Sequence, residues 1–195
     1  MAYEYIIVGS GRVWIAPEGT AFPTLDQLPT DVSASWTELG EFDGGVQISS
    51  PQTVDEHRTD MESGIQKATR SSEDLVITVS LADNTLESLS RMINGTTVNQ
   101  VAAGVGTRGY KEFGFYRGLA VVTYAFVFQG PSPYIDGERM RYLVPRGYFA
   151  GDMGRSHVKN SKTLIPVEFH AMVDPNAADP SEKFGICQAV NAAAL

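Results

Sequence analysis

Two stretches of this sequence hold residue types whose spacing suggests chemistry. The first is Tyr5-Ile6-Ile7-Val8-Gly9-Ser10-Gly11, a strand running into a glycine turn, as in the opening of a dinucleotide-binding βαβ unit. Such a site needs a third glycine, a helix whose N-terminus faces the pyrophosphate, and an acid about 20 residues further on. Here the third-glycine position is Trp14, and Val13-Trp14-Ile15-Ala16-Pro17 reads as strand and then breaker. A glycine pair closing a tight turn between strands accounts for the same residues. The second stretch sets His57 among Asp55, Glu56 and Asp60, the residue types of a metal site or a general base. Both chemistries need convergence on one point, and near-consecutive residues in a polar segment do not converge by themselves. Gly9-Ser10-Gly11 also lacks the Gly-x-Ser-x-Gly frame of a nucleophile elbow. The sole cysteine, Cys187, excludes an internal disulfide, suits a reducing compartment, and is expected to be buried and inert. No catalytic residue, cofactor or metal ligand set is therefore expected, and the chain does not read as an enzyme.

The elements around these residues are mostly strands. Trp36-Thr37-Glu38-Leu39-Gly40 leads to Gly44-Gly45-Val46-Gln47-Ile48. Some two dozen residues with almost no apolar content follow, from Ser49 to Glu73. A structureless segment of that length is uncommon in a compact β domain unless it is functional or disordered. Leu75, Ile77, Val79 and Leu81 then alternate with polar residues, the period of a half-buried strand. Asn84-Thr85-Leu86-Glu87 reads as a capping box with Asn84 at the N-cap. Leu86, Leu89 and Ile93 share a helical face, and Gly95 is a natural stop. The helix is expected over about 84–94.

Elsewhere, residues 17–35 read as an extended loop and 94–109 as a small-residue linker. From Leu119 to Gln129 both faces of a long strand are apolar, so both must be covered, one by the helix or by a neighbouring copy. Arg139-Met140-Arg141-Tyr142-Leu143-Val144 places Met140, Tyr142 and Val144 inward and the two arginines outward. Arg155, His157, Lys159 and Lys162 form a basic loop. Leu164–Val173 is the last long strand, and Pro166 marks it as an edge or a bulge. The tail from about 175 to 195 is expected to be loosely held, with Phe184-Gly185-Ile186 as its docking point.

At 195 residues the chain fits a single domain. No apolar run approaches the roughly 20 residues of a membrane helix, and Met1–Tyr5 carries an acid without the basic stretch of a secretory signal. Residues 1–83 hold 14 acids against 4 Lys and Arg, whereas residues 84–195 hold 9 acids against 11. Opposed halves can form complementary surfaces between copies. An acidic protein is a poor candidate for gripping phosphates.

Three blocks together resemble the tail tube (major tail) proteins of long, non-contractile-tailed bacteriophages. They are Gly11–Pro23, then Trp36–Gly40 through Asp43–Val46 with the polar arm and the strand Leu75–Leu81, and then Thr85-Leu86-Glu87-Ser88-Leu89. The ending Leu164–Ala171 followed by Asp174-Pro175 is similar to the last strand of that family. The resemblance implies a mainly β protein, a β-sandwich of tail-tube type with one flanking α-helix and a long inter-strand arm. It implies hexameric rings that stack into a tube, assembled in the host cytoplasm, through which genomic DNA passes without specific binding. Other tail proteins (terminator, tape measure, distal tail) would be partners, and no membrane would be involved. The arm, with Asp55, Glu56, Arg58, Asp60, Glu62, Lys67 and Arg70, would contact the adjacent ring. Arg155, Lys159 and Lys162 are its expected complement. A different virion β-protein, for capsid decoration or head–tail joining, is the alternative.

Overall fold

The computed structural model describes residues 11–152, 154–155, 157 and 159–192. The strand read as running into the glycine turn, up to Val8, lies outside them. Alternating burial builds most of the rest. The mainly β expectation holds: seven strands form a continuous antiparallel path, and an eighth joins from the side. In chain order the elements of this sheet are β1 (Arg12–Pro17), β2 (Thr37–Glu38), β3 (Phe42–Ser49), β6 (Val76–Leu81), β9 (Tyr124–Pro131), β10 (Arg139–Phe149), β11 (Ile165–Ala171) and β12 (Ile186–Ala189). Between them come two helices, α1 (Pro29–Val32) and α2 (Leu86–Met92), and two hairpins, β4 (Gln52–Thr59) with β5 (Glu62–Glu73) and β7 (Asn99–Val101) with β8 (Tyr110–Glu112). The path runs β2-β1-β9-β10-β11-β6-β3.

Two devices curl this sheet. Gly44 and Gly45 both have positive φ (84° and 82°) and sit where the β3–β6 register slips between Asp43 and Val46. This is a bulge that residues with a Cβ adopt poorly. In β10 the register slips again between Val144 and Gly147, around Pro145. Before the slip, Met140–Leu143 pair with β12; after it, Gly147–Phe149 pair with β11. The result is one continuous sheet whose two limbs face each other. Val13, Ile15 and Phe126 on one limb meet Ile77, Val79, Leu81, Ile165, Val167 and Phe169 on the other in a single core. The Phe126 and Phe169 rings stack at 4.9 Å. Helix α2 closes this core with Leu89 and Met92, and the following Ile93 is buried as well.

Both faces of β9 are covered, as its composition requires, but by its own chain. Phe126 faces the main core, while Ala125 and Val127 face a second cluster with Trp14, Trp36 and Leu143, against which Phe22 packs. The segment 17–36 is thus a lid over the outer face of the sheet, with α1 inside it. Proline at the first turn and reciprocal bonds between Leu28 and Asp31 start that short helix.

Several expectations change. The strand begins at Tyr124, not Leu119, and Leu119 is 99% exposed. The linker expected at 94–109 contains most of the β7–β8 hairpin. The N-cap of α2 is Thr85, whose hydroxyl accepts from the Ser88 amide, and Asn84 instead donates to the Ala82 and Thr163 carbonyls. The left-handed residue after the helix is already Asn94 (φ 60°), one before Gly95. Strand β11 is interior, between β10 and β6. Pro166 is tolerated there because it pairs with Ser80 of β6 and lies beyond the Phe149↔Phe169 pair that ends the β10 ladder. The tail is docked through β12, and Ser132 donates to the Val190 carbonyl at 2.7 Å. Cys187, on β12, is exposed.

Arg141 overturns the outward placement of the arginines most clearly. It is 0% exposed, on the same face of β10 as Leu143, while Met140 and Tyr142 are only half-buried. Its guanidinium donates to Gln129 Oε1 at 2.7 and 2.9 Å, to the Thr24 carbonyl at 2.6 Å, and to the Gln27 carbonyl. Burial draws its pKa down, with Arg139 adding to the effect and Asp26 opposing it. The buried cation is satisfied by carbonyl dipoles and latches the lid to the sheet.

Candidate assembly interface

The arm carries seven of the ten charged positions singled out from sequence, and it is not structureless. β4 and β5 form an antiparallel hairpin in which Asp55 faces Thr69, Glu56 faces Ala68, and His57 faces Lys67. Among the described residues neither strand pairs with any other. Along both strands only Thr69 is even partly buried. Polar side chains on both faces remove the period by which a strand is recognised, yet the backbone ladder needs none. The eight residues of β4 give the hairpin a length of about 27 Å at ~3.4 Å per residue.

Within the arm, Arg58 pairs with Glu56 and Arg70 with Glu73, both at 3.1 Å. Gln66 donates to Glu62 at 3.1 Å. His57 Nε2 lies 2.9 Å from the Thr69 hydroxyl, so it is held by a diagonal residue on the opposite strand rather than by the nearby acids. Asp55, Asp60 and Lys67 have no ion-pair partner among the described residues. No cluster of three or more His, Cys, Asp or Glu side chains suited to a metal occurs among the described residues.

The basic loop is not brought to the arm within one chain. Arg155 donates to Asn84 Oδ1 at 2.9 Å, and Lys162 pairs with Asp43 of β3 at 3.1 Å. Lys159 is exposed. Gly11, the described part of the glycine turn, lies so close to β9 that a Cβ there would collide with the Gln129 carbonyl and the Phe128 ring. Close strand packing, rather than a phosphate, explains that glycine.

The described surface therefore offers a projecting hairpin and a curled sheet with free edges at β2 and β3. These features agree with a match of residues 2–179 to the phage tail tube protein family. The chain belongs to that family. No curated protein matches the sequence. A tail tube protein is a structural component of the virion tail and not an enzyme; it assembles with itself and with other tail proteins. In this tail tube protein the match takes in the arm and the sheet as far as β11, whereas β12 lies beyond it.

One feature of this tail tube protein was missed in the sequence. Among its exposed large apolar side chains, Val101, Val105, Tyr110, Phe115, Tyr116, Leu119, Val121 and Val122 fall in one segment, and Val54, Met61 and Ile65 fall on the arm. An apolar run between Gly118 and Thr123 reads as strand core from its pattern alone. The signal available was Met61, a large apolar residue set between Asp60 and Glu62 in a mostly polar arm.

Proposed function

We propose that this tail tube protein is a single-domain subunit of 1–195 that closes into hexameric rings. The rings stack into a tube through which genomic DNA passes at ejection into the host. Subunits assemble in the host cytoplasm, and the finished tube meets the terminator, tape measure and distal tail proteins.

The observation that carries this reading is the β4–β5 hairpin. A lone two-stranded hairpin is marginally stable in water, and this one has almost no covered surface of its own. Its natural support is another copy. Asp55, Glu56, Asp60 and Glu62 supply negative charge for a basic neighbour, with Arg58, Lys67 and Arg70 in alternation. Arg155, Lys159 and Lys162 supply positive charge on the receiving ring, Lys159 being the most available. Ring closure by sheet joining uses a free edge; with β11 interior, β3 is the long edge among the described residues. The polar face of the sheet, with Thr78, Ser80 and Glu168, suits a lumen from which phosphates are repelled rather than held.

Negative-stain electron microscopy of the purified protein tests this directly. Open-ended tubes or stacked rings are expected. Trimers, or one closed ring that never stacks, would replace the tube with capsid decoration or head–tail joining.

A further inference from the structure

The segment 99–122 is built inside out. Several of its polar groups are tied to the body of the protein, while its large apolar side chains, Phe113 apart, are largely exposed. Asn94, in the left-handed conformation just after α2, reaches across with both ends of its amide. Its Nδ2 donates to the carbonyls of Arg117 and, at 2.7 Å, Ala120, while its Oδ1 accepts from the Val122 amide at 2.7 Å. Lys111 of β8 pairs with Glu87 of α2 at 2.6 Å. Arg117 donates to the Gly151 carbonyl at 3.3 Å. Phe113 packs on the main core and lies 5.2 Å from the Phe115 ring. These contacts hold the segment in one shape while Phe115, Tyr116, Leu119 and Val121 remain largely exposed.

A concentration of exposed large apolar side chains in one tethered segment points to an interaction site, since soluble proteins rarely leave large apolar patches uncovered. Fixing it in advance lowers the ordering cost of binding. We propose that this shelf receives the tip of the β4–β5 arm from a second copy of the chain. The inference rests on the self-assembly proposed above and adds the residues that meet.

Three observations select that occupant. The arm has the other concentration of exposed large apolar residues, with Met61 at its turn 96% exposed and Ile65 and Val54 below it. The charges are complementary: β4–β5 carries Asp55, Glu56, Asp60, Glu62 and Glu73 against Arg58, Lys67 and Arg70, a balance of −2, whereas 99–122 carries Arg108, Lys111 and Arg117 against Glu112, a balance of +2. The shelf also borders the basic loop, because Arg117 is bonded to Gly151 at the start of the turn leading into it. An arm laid across both would set its apolar tip on the shelf and its acids beside Lys159.

Two double variants of the full chain test this: Leu119→Asp with Val121→Asp on the shelf, and Met61→Asp with Ile65→Asp on the tip. All four positions are exposed, so both proteins should melt like the parent. Each pair should raise the protein concentration needed for assembly at least about ten-fold by sedimentation velocity. Combining the pairs should do little more than the worse one alone, because both break the same contact. A shelf variant that assembles like the parent overturns the proposal, and so do effects that multiply. If the parent forms closed oligomers rather than tubes while both variants stay monomeric, the shelf contact stands and the tube reading falls. If the parent forms tubes and the variants do too, the reverse holds. A parent that stays monomeric removes both.

Discussion

The curled sheet and the β4–β5 arm are made of the same secondary structure and do opposite work. In the sheet, the interior strands pair on both sides and their inner residues meet in two covered clusters. In the arm, two strands pair, among the described residues, only with each other, and nearly every side chain faces solvent. Apolar burial is the main favourable term in folding, at about 25 cal/mol per Å². The sheet therefore holds the stability of the subunit and the arm almost none. What the arm offers instead is surface, and a protein that functions by joining copies of itself needs both. Substitutions should separate the two regions: changes in the sheet alter melting, and changes in the arm alter assembly.

The largest effect is expected at Arg141. Truncating it to alanine removes the donors for the Thr24 and Gln27 carbonyls and Gln129 Oε1, and empties a buried site beside the lid. Abandoned buried acceptors cost about 1–3 kcal/mol each, less where water can reach them. We expect Arg141→Ala to lower unfolding free energy by about 3 kcal/mol in urea titration. Trp36, whose indole donates to the Ala21 carbonyl at 3.0 Å inside the same lid, should report a wetter environment by fluorescence. A loss under about 1 kcal/mol would mean that the lid is held by its apolar contacts alone.

The arm should respond the other way. Replacing Asp55, Arg58 and Asp60 together with serine removes two unpaired acids and one exposed ion pair. Exposed pairs are worth about 0–1 kcal/mol, so the urea midpoint should move little. Tube growth, followed by light scattering, should stop. Normal growth would deprive the arm's charges of their role in stacking.

This contrast also explains which parts could be read from the sequence. β6 and β11 were legible because one face of each is apolar at every second residue and that face is buried; β1 was legible as a short run apolar and buried on both faces, and β3 through the alternation of Val46 and Ile48, which are half-buried. The arm's length and polarity were legible, but its pairing was not, because a hairpin polar on both faces is held by backbone bonds that leave no side-chain period. Leu119–Val122 failed for the opposite reason: apolar residues in a row look like a strand whether the chain or a neighbour covers them. Arg141 sits at the parity of Leu143, which was the clue to its burial, but the pattern cannot say that carbonyls from the 24–27 turn will meet it. At the assembly surface, the charged positions of the arm were found, whereas the apolar shelf and the ties that hold it required the fold.

The smallest expected effect lies between the two regions, at Glu87. Its hydrogen bond to Lys111 is the main reason its carboxyl titrates below the ordinary value of 4.5, helped by its own backbone amide and opposed by slight desolvation. A carboxylate with a lowered native pKa stabilises the folded form above the unfolded value, and that contribution disappears as pH falls through the native one. The tether between α2 and β8 is therefore complete at neutral pH and weakens only below about pH 4.5. Because the pair is exposed, global melting should not register it. Amide exchange in the β7–β8 hairpin, corrected for the intrinsic pH dependence, should speed up below pH 4.5, and Glu87→Gln should show that faster exchange already at pH 7. Equal protection in the variant and the parent at pH 7 would assign the shape of this hairpin to Asn94 and Phe113 alone. Faster exchange with unchanged melting would instead mark it as a surface ordered for a neighbour rather than for the stability of its own chain.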